Sequence, residues 1–316
     1  MVKVTWGLDN IDSSLSSITT LGSFDGVHLG HIKIIEELLE HQRQLGIARS
    51  VVVTFHPHPQ QVLRKHDSSV QLLTTIDERL ELLSKTGVDE VVVIKFTPEF
   101  SKKTYVEFFE SILLKQLNTK AMVVGFNHAF GKNREGDTTH LEELGKKFEV
   151  PIYEVAPCLS EWMNISSTRI RNALFNGDLV TANTCLGRHY ELNGVVVLGD
   201  RIGTTLGYPT ANLKVAEEKL LPGDGVYCCR VNVRGRSFAG ALSIGNRPTV
   251  GKDLERQVEV FLLDFAEDIY GATISVECIE LIRNQQAFAS LIELREQIER
   301  DVTVCRGLLR VEPASL

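Results

Sequence analysis

Up to about residue 186 the chain alternates between two textures. Short runs rich in β-branched and apolar residues (Ile18–Leu21, Arg49–Phe55, Glu90–Phe96, Lys120–Phe126, Pro151–Ala156) are separated by stretches with helical periodicity. The helices read Leu29 to Leu45, stopped by Gly46; Asp77 to Lys85; one capped by Ser101 and running through Leu117; Thr139 to Phe148; and Gly177 to Leu186. Strands apolar on both faces, with helices between them, predict a parallel sheet covered on both sides. After Gly187 the helices stop. Strand-like runs follow one another (Asn193–Leu198, Tyr227–Val233, Arg236–Ile244, Gln257–Phe265, Thr273–Leu281), which predicts an antiparallel barrel. One amphipathic helix, Leu291 to Leu309, closes the chain, with Leu291, Leu294, Ile298, Val302 and Leu309 on its packed side. The expected architecture is α/β plus all-β, in two domains, 1–185 and 186–316.

A chain of 316 residues can fill two such cores. Its net charge of −7 argues against a general nucleic-acid partner, which would need a basic footprint. Six cysteines without zinc spacing read as reduced thiols of a cytoplasmic protein. No apolar run is long enough for a membrane span, and MVKVTWGLDN lacks the apolar core of an export signal. We therefore expect no membrane partner.

In a parallel sheet the ligand sits at the carboxyl ends of the strands. The segment GSFDGVHLGH (Gly22–His31) lies there, at a strand, tight turn and helix start. Gly22, Gly26 and Gly30 let the backbone approach a ligand, and a helix N-terminus favours an anion such as phosphate. His28 and His31 are three apart, so they share one side of the first turn. They read either as two imidazoles aimed at a phosphate or as surface histidines at a turn. TFHPHP (Thr54–Pro59) is a stiff extended loop, a rigid turn or a weak metal site. VGFNHAFGKNREGD (Val124–Asp137) is a polar surface loop or a lid. In NISSTRIRNAL (Asn164–Leu174), Ser166, Ser167 and Thr168 begin a helix. Arg169 and Arg171 put cations where the dipole disfavours them, which makes sense if an anion binds there; otherwise they pair with acids elsewhere.

In the second half, Glu259 interrupts an apolar strand. It is either a base for phosphoryl transfer or an ion-paired carboxylate. Thr210 and Asn212, two apart in LGYPTAN, point the same way and carry hard oxygen donors suited to Mg²⁺; a Pro-containing turn is the plain alternative. Gly199 and Gly203 upstream can arch over a triphosphate.

H-x-G-H after a first strand resembles the nucleotidylyltransferase superfamily. FDGVHLGH is similar to the FMN adenylyltransferase half of prokaryotic bifunctional riboflavin kinase/FAD synthetases. The T-F-x-P-H-P loop and the closing I-S-S-T-x-x-R motif match as well. GDRIGTTLGYPTAN resembles the riboflavin kinase motif, and LPGDGVY, SIGNRPTV, DFAEDIYG and LIRNQQAFASLIELREQIERD follow in family order. Thr204 stands where that family usually has Arg or Lys, with Arg201 nearby, and His128 stands where an aromatic is common. The resemblance implies a Rossmann-like nucleotidylyltransferase domain followed by a kinase barrel. The barrel would phosphorylate riboflavin to FMN, giving ADP. The first domain would adenylylate FMN to FAD and release pyrophosphate, with Mg²⁺ accompanying ATP. Catalytic roles fall to Glu259, His28 and His31. ATP contacts fall to Gly22, Phe24, Asp25, Ser166, Ser167, Thr168, Arg171, Gly199, Gly203, Thr210 and Asn212, the last two also holding the metal. Flavin contacts fall to Phe55, His58, Asn127 and Arg295. The alternatives are a FAD synthetase with an inactive flavin-binding kinase domain, or a non-catalytic flavin carrier or regulator. Whether the chain is a homo-oligomer is left open.

Overall fold

The structure is a computed structural model that describes residues 2–63, 70–126, 130–132, 135–160, 163–199, 202–246 and 256–310. By packing, the chain divides into Met1–Ser167 and Thr168–Leu316.

The first unit is built on strands β1 (Lys3–Trp6), β2 (Ser17–Leu21), β3 (Arg49–His56), β4 (Glu90–Lys95), β5 (Thr119–Gly125) and β6 (Ile152–Val155). All pair in parallel, in the order β1-β4-β3-β2-β5-β6. The expected doubly covered sheet is present. One face carries Val51, Val53, Val92 and Met122; the other carries Ile18, Val52, Val91 and Val123. The helices are α1 (Leu29–Leu45), α2 (Pro59–Leu63), α3 (Ile76–Ser84), α4 (Tyr105–Phe108) and α5 (Thr138–Phe148), with a two-residue hairpin β7 (Leu159–Ser160) and β8 (Met163–Asn164) near the end. Helix α1 has the expected bounds, and Gly46 ends it in the left-handed conformation at φ 62.

Three expectations change here. Strand β1 is an added edge strand; only Thr5 of its four residues is buried, so it lacks the apolar run that marks its neighbours. Ser101 is not a cap: its hydroxyl donates to Pro98 O at 2.8 Å. Thr104 caps α4 instead, because Thr104 and Glu107 satisfy each other's backbone N–H groups reciprocally; the helix then continues as a π-helical stretch, Phe109–Leu114. And β3 runs through His56, after which Pro59 begins α2, a first-turn position where its missing N–H costs nothing.

The second unit begins within α6 (Ser167–Phe175), at Thr168, and continues with α7 (Leu179–Leu186). They pack on the barrel: Gly223 N–H donates to Leu174 O at 2.8 Å, and the Asn183 amide joins Cys278 O and Tyr190 N–H. The barrel strands are β9 (Tyr190–Val197), β10 (Thr210–Val215), β11 (Gly225–Val233), β12 (Arg236–Gly245), β13 (Gln257–Leu262) and β14 (Thr273–Asn284), closed in the order β10-β13-β12-β11-β14-β9. Short α8 (Ile202–Thr205) precedes β10, and α9 (Leu291–Leu309) ends the unit with the predicted bounds. Tyr227, Val231, Leu242 and Val260 fill the inside. The neighbouring outward residues Cys228, Ala239, Ala241 and Phe261 are covered by Val302, Cys305 and Leu309 of α9. The covered stripe of α9 therefore runs through Asp301 and Cys305, and Leu291 is 60% exposed rather than packed. Asp301 is tolerated there because Arg283 donates to both its oxygens, at 2.8 to 3.1 Å, and Gln297 adds a bond at 2.8 Å.

At the amino end of the sheet, buried Glu90 accepts from Thr5 Oγ1 at 2.6 Å and pairs with Arg49 at 2.7 Å and Lys3 at 3.0 Å. Burial pushes the Glu90 carboxyl up, but these partners outweigh it and hold it below its ordinary value of 4.5. A carboxyl lowered on folding stabilises the fold above its unfolded value, and that contribution is lost as pH falls through the folded value. We expect Glu90→Gln to be less stable at pH 7, with a gap to the parent that narrows as pH drops below about 4.5, in urea titrations across pH.

Candidate active sites at the first strand–helix turn and on the barrel wall

Gly22 N–H still pairs with Val53 O, at 3.1 Å, so β2 carries its ladder into the turn. The turn then kinks: Phe24 at φ 48 and Val27 at φ 38 are both left-handed without being glycine. Both side chains are buried. Fully buried Asp25 accepts from Leu73 N–H at 3.1 Å, Thr74 N–H at 3.0 Å and the Thr74 hydroxyl at 3.2 Å, and Gly26 N–H donates to that hydroxyl at 3.0 Å. The side chains of Phe24 and Asp25 are thus committed to holding the loop. Behind it, Arg79 donates to Phe55 O at 3.3 Å; burial lowers the Arg79 guanidinium from its ordinary value, and the Asp25 charge opposes this.

His28 is the N-cap of α1: its Nδ1 accepts from His31 N–H at 3.3 Å. While that bond stands, the neutral ring carries its hydrogen on Nε2, directed away from the helix backbone. His31 stacks on it, with centroids 3.6 Å apart and planes 13° apart, and the Phe24 ring lies 5.0 Å from His31. Gly30 is needed here because a Cβ would press on the His28 ring at 3.2 Å and approach Ile165 O at 3.8 Å. The start of α6 meets the same turn: the Ser167 hydroxyl donates to Asp25 O at 2.9 Å. The sequence motifs at residues 22–31 and 165–167 are therefore one site, where two helix N-termini begin. Thr168, Arg169 and Arg171 follow on α6, in the second unit, with Arg171 one turn on from Ser167.

Of the other expected flavin residues in this half, Phe55 is buried in a row of rings with Phe96 at 5.7 Å and Phe100 at 6.2 Å, so its side chain supports the loop from the core. His58 is also buried, its Nδ1 accepting from Gln60 N–H at 3.2 Å. Asn127, His128 and Arg134 lie outside the described residues. Trp6, which sequence reasoning passed over, is 51% exposed and meets His56 edge-on at 6.1 Å. Only its being an aromatic next to a glycine in a polar N-terminus could have marked it. Among the described residues, no group of three or more His, Cys, Asp or Glu is placed to hold a metal ion.

On the barrel, Asn212 and Thr210 of β10 lie opposite Glu259 and Phe261 of β13. Opposed residues share a face, so Thr210, Asn212 and Glu259 all point outward. The Thr210 hydroxyl donates to Glu259 Oε2 at 3.1 Å. Glu259 thus has a hydroxyl partner and sits within β13, paired with Asn212 on one side and Ser243 on the other. Gly199 lies against Asn212 so closely that a Cβ would land on the amide group, and a Cβ at Gly203 would strike Tyr208 O and reach Thr210 Oγ1 at 3.2 Å. Gly199, Gly203, Thr210, Asn212 and Glu259 are thereby brought together, whereas Arg295 is not among them. A cavity of about 280 Å³ adjoins Thr210, lined by Val196, Ala211, Phe265, Ile269 and Tyr270 among others. The segment DFAEDIYG supplies much of that wall, a role that sequence reasoning did not give it. Arg295 is exposed on the second turn of α9. Arg201 lies outside the described residues, and the Thr204 side chain is not among those described.

Comparison with known proteins decides between the readings. The family model for FAD synthetase matches residues 11–169, and that for riboflavin kinase matches residues 186–309. The chain belongs to the bifunctional riboflavin kinase/FMN adenylyltransferase family. Relatives of that name from Listeria monocytogenes and Escherichia coli (strain K12) are each 36% identical, the first over 92% of this chain and 91% of its own length, the second over 96% and 97%. The Bacillus subtilis relative is 34% identical, over 92% of each chain. A crystal structure from Streptococcus pneumoniae, described as a macrolide-efflux protein, superposes with a TM-score of 0.88 at 31% identity over 96% of this chain and 99% of its own. That likeness is one of fold across both halves, and the description belongs to that structure. Among the described residues of this family member, no helix is long and apolar enough to cross a membrane.

The contact between Gly199 and Asn212 gives a test of the barrel site. Gly199→Ala should lower riboflavin phosphorylation at least about tenfold by displacing the Asn212 amide, while FMN adenylylation by the same preparation stays within about twofold. Initial rates of the two reactions, measured separately, check this.

Proposed function

We propose that the two activities of the family run in two separate sites of this chain, at the histidine-lined turn and on the barrel wall. The observation that carries the reading is the convergence of motifs distant in sequence: Ser167 on Asp25 O in the first site, Thr210 on Glu259 in the second. By activity the chain divides into 1–185 and 186–316, with the first portion including α6 and α7. As a bifunctional riboflavin kinase and FMN adenylyltransferase, the chain makes FMN from riboflavin and ATP, then FAD from FMN and a second ATP.

On the barrel, Glu259 takes the proton from the 5′-hydroxyl of riboflavin as that oxygen attacks the γ-phosphorus of ATP, and ADP leaves. The Thr210 hydroxyl, donating to one carboxylate oxygen, aims the base. Gly199 and Gly203 keep the backbone close enough to arch over the phosphates, and the cavity beside Thr210 has the size and apolar lining to take the purine. Thr210 Oγ1 and the Asn212 amide oxygen, hard donors on one face of β10, fit Mg²⁺, which would neutralise phosphate charge there.

In the first site an FMN phosphate oxygen attacks the α-phosphorus of ATP, and pyrophosphate leaves. No covalent enzyme intermediate is needed. Negative charge grows on the phosphorus oxygens, and the His28 Nε2–H, His31, the free N–H groups at the start of α1 and the hydroxyls of Ser166, Ser167 and Thr168 supply donors for it, with Arg171 adding a cation. Gly22 through Gly26 provide the backbone against which ATP lies. His58 and the core-supported Phe55 loop border the flavin of this site, and Arg295 contacts the flavin on the barrel. Six free thiols support a reducing, cytoplasmic setting. The geometry at Glu259 favours an active kinase over a flavin-binding barrel that has lost its chemistry.

His28→Ala should cut FAD formation on the order of 100- to 1,000-fold and leave FMN formation intact. Glu259→Ala should abolish FMN formation while added FMN is still converted to FAD. Both are read by incubating each variant with ATP and Mg²⁺, plus riboflavin or FMN, and separating the flavins by chromatography. Equal loss of both products from His28→Ala would refute two separate sites, and a Glu259→Ala variant with normal kinase turnover would refute the base.

A further inference from the structure

Four of the cysteines form two buried pairs, and the proposed chemistry uses neither. Cys228 and Cys229 are adjacent on β11, so they point to opposite faces of the barrel wall. Cys229 faces inward and lies opposite Cys278 of β14. Cys228 faces outward, where it packs with Leu263 against Cys305 of α9. All four are free thiols with no exposed surface. The two pairs differ in chemistry. Burial pushes Cys278 up to about 12 and drives Cys229 well above its ordinary value, so neither is a thiolate near neutral pH. Cys228 and Cys305 pack against each other, and their mutual interaction holds Cys228 below its ordinary value despite burial and pushes Cys305 up. Around the outward pair, Arg230 favours the Cys228 thiolate and Glu280 opposes it, while Asp301 further raises Cys305. The helix can approach closely because Ala239 and Ala241 are small where it crosses the wall.

We infer that Cys228 and Cys305 are a reversible disulfide site that staples the C-terminal helix to the outer wall of the barrel. The oxidant class is a small-molecule disulfide. The Cys228 thiolate attacks one sulfur of glutathione disulfide, expelling one glutathione thiolate and forming a mixed disulfide. Cys305 gives its proton to the expelled thiolate and attacks the Cys228 sulfur, releasing a second glutathione. The two protein thiols are oxidised by two electrons, and one glutathione disulfide is reduced to two glutathiones. At rest both sulfurs are covered, so attack waits on local opening of α9, a terminal helix. Cys305 lies one turn from Asp301, and Phe261, which packs against this pair, lies opposite Thr210. The staple therefore lies on the same outer face of the barrel wall as Thr210.

The test uses the full chain, equilibrated with glutathione disulfide, denatured, alkylated and digested. A Cys228–Cys305 cross-linked peptide is expected, with the other cysteines still alkylated. The melting temperature should rise by about 5 °C or more and return on adding dithiothreitol. Cys305→Ala, and Cys228→Ala should the first not fold, should show neither the cross-link nor the shift. Alkylation of all six cysteines, a Cys229–Cys278 link formed first, or glutathione attached to half-exposed Cys158 alone would overturn the proposal.

Discussion

The buried carboxylate of Asp25 is the interaction on which the first site depends. A carboxylate with no exposed surface must be met by donors. It takes three from Leu73 and Thr74, which ties the turn after β2 to a segment almost fifty residues later. Its own carbonyl takes the Ser167 hydroxyl, which ties the same turn to the start of α6. The turn contains two left-handed non-glycine residues, Phe24 and Val27. Such strain costs about 1–3 kcal/mol each. Hydrogen bonds to a charged acceptor contribute about 1.5–3 kcal/mol each, so three of them, with two buried apolar side chains, outweigh it. What the strain yields is position: the backbone of residues 22–26 and the His28 cap are held where α1 begins.

The barrel reaches its site by a different constraint, alternation on a closed wall. Inward residues must fill the interior, so outward residues are released for other uses. On β13, Val258, Val260 and Leu262 are buried inside while Glu259 and Phe261 face out. Phe261 is covered by α9, which explains a strand that looks apolar on both faces. Glu259 is left half-buried beside Thr210 and Asn212. The two glycines before β10 then set the spacing, since any side chain at Gly199 would occupy the place of the Asn212 amide.

Much of this was legible in advance wherever the signal is local. Helix α1 has its predicted bounds because its stop is a glycine in the left-handed conformation, a property of one residue. The buried strands were legible because a sheet covered on both faces requires apolar residues at every position. The errors fall where a local signal had a competitor. Ser101 and Thr104 are both plausible caps, and only Thr104 has a glutamate three residues on to complete the reciprocal bonds. Leu291 lies on the same helical stripe as Val302 but is left exposed. Strand β1 is too short and too polar to announce itself and exists only because β4 offers an open edge.

The sequence by itself determined the order of elements, the two textures and the residue types at each turn, because capping, periodicity and glycine conformation act within a few residues. The family motifs identified the chemistry for the same reason, as short runs around single strand ends. Tertiary structure alone decided which groups meet. That Asp25 is an anchor, that Glu259 is partnered by Thr210, and that Cys228 touches Cys305 while Cys229 does not, all depend on contacts between segments far apart in the chain. Those contacts are set by packing and by the need to satisfy buried polar groups, which no local pattern records.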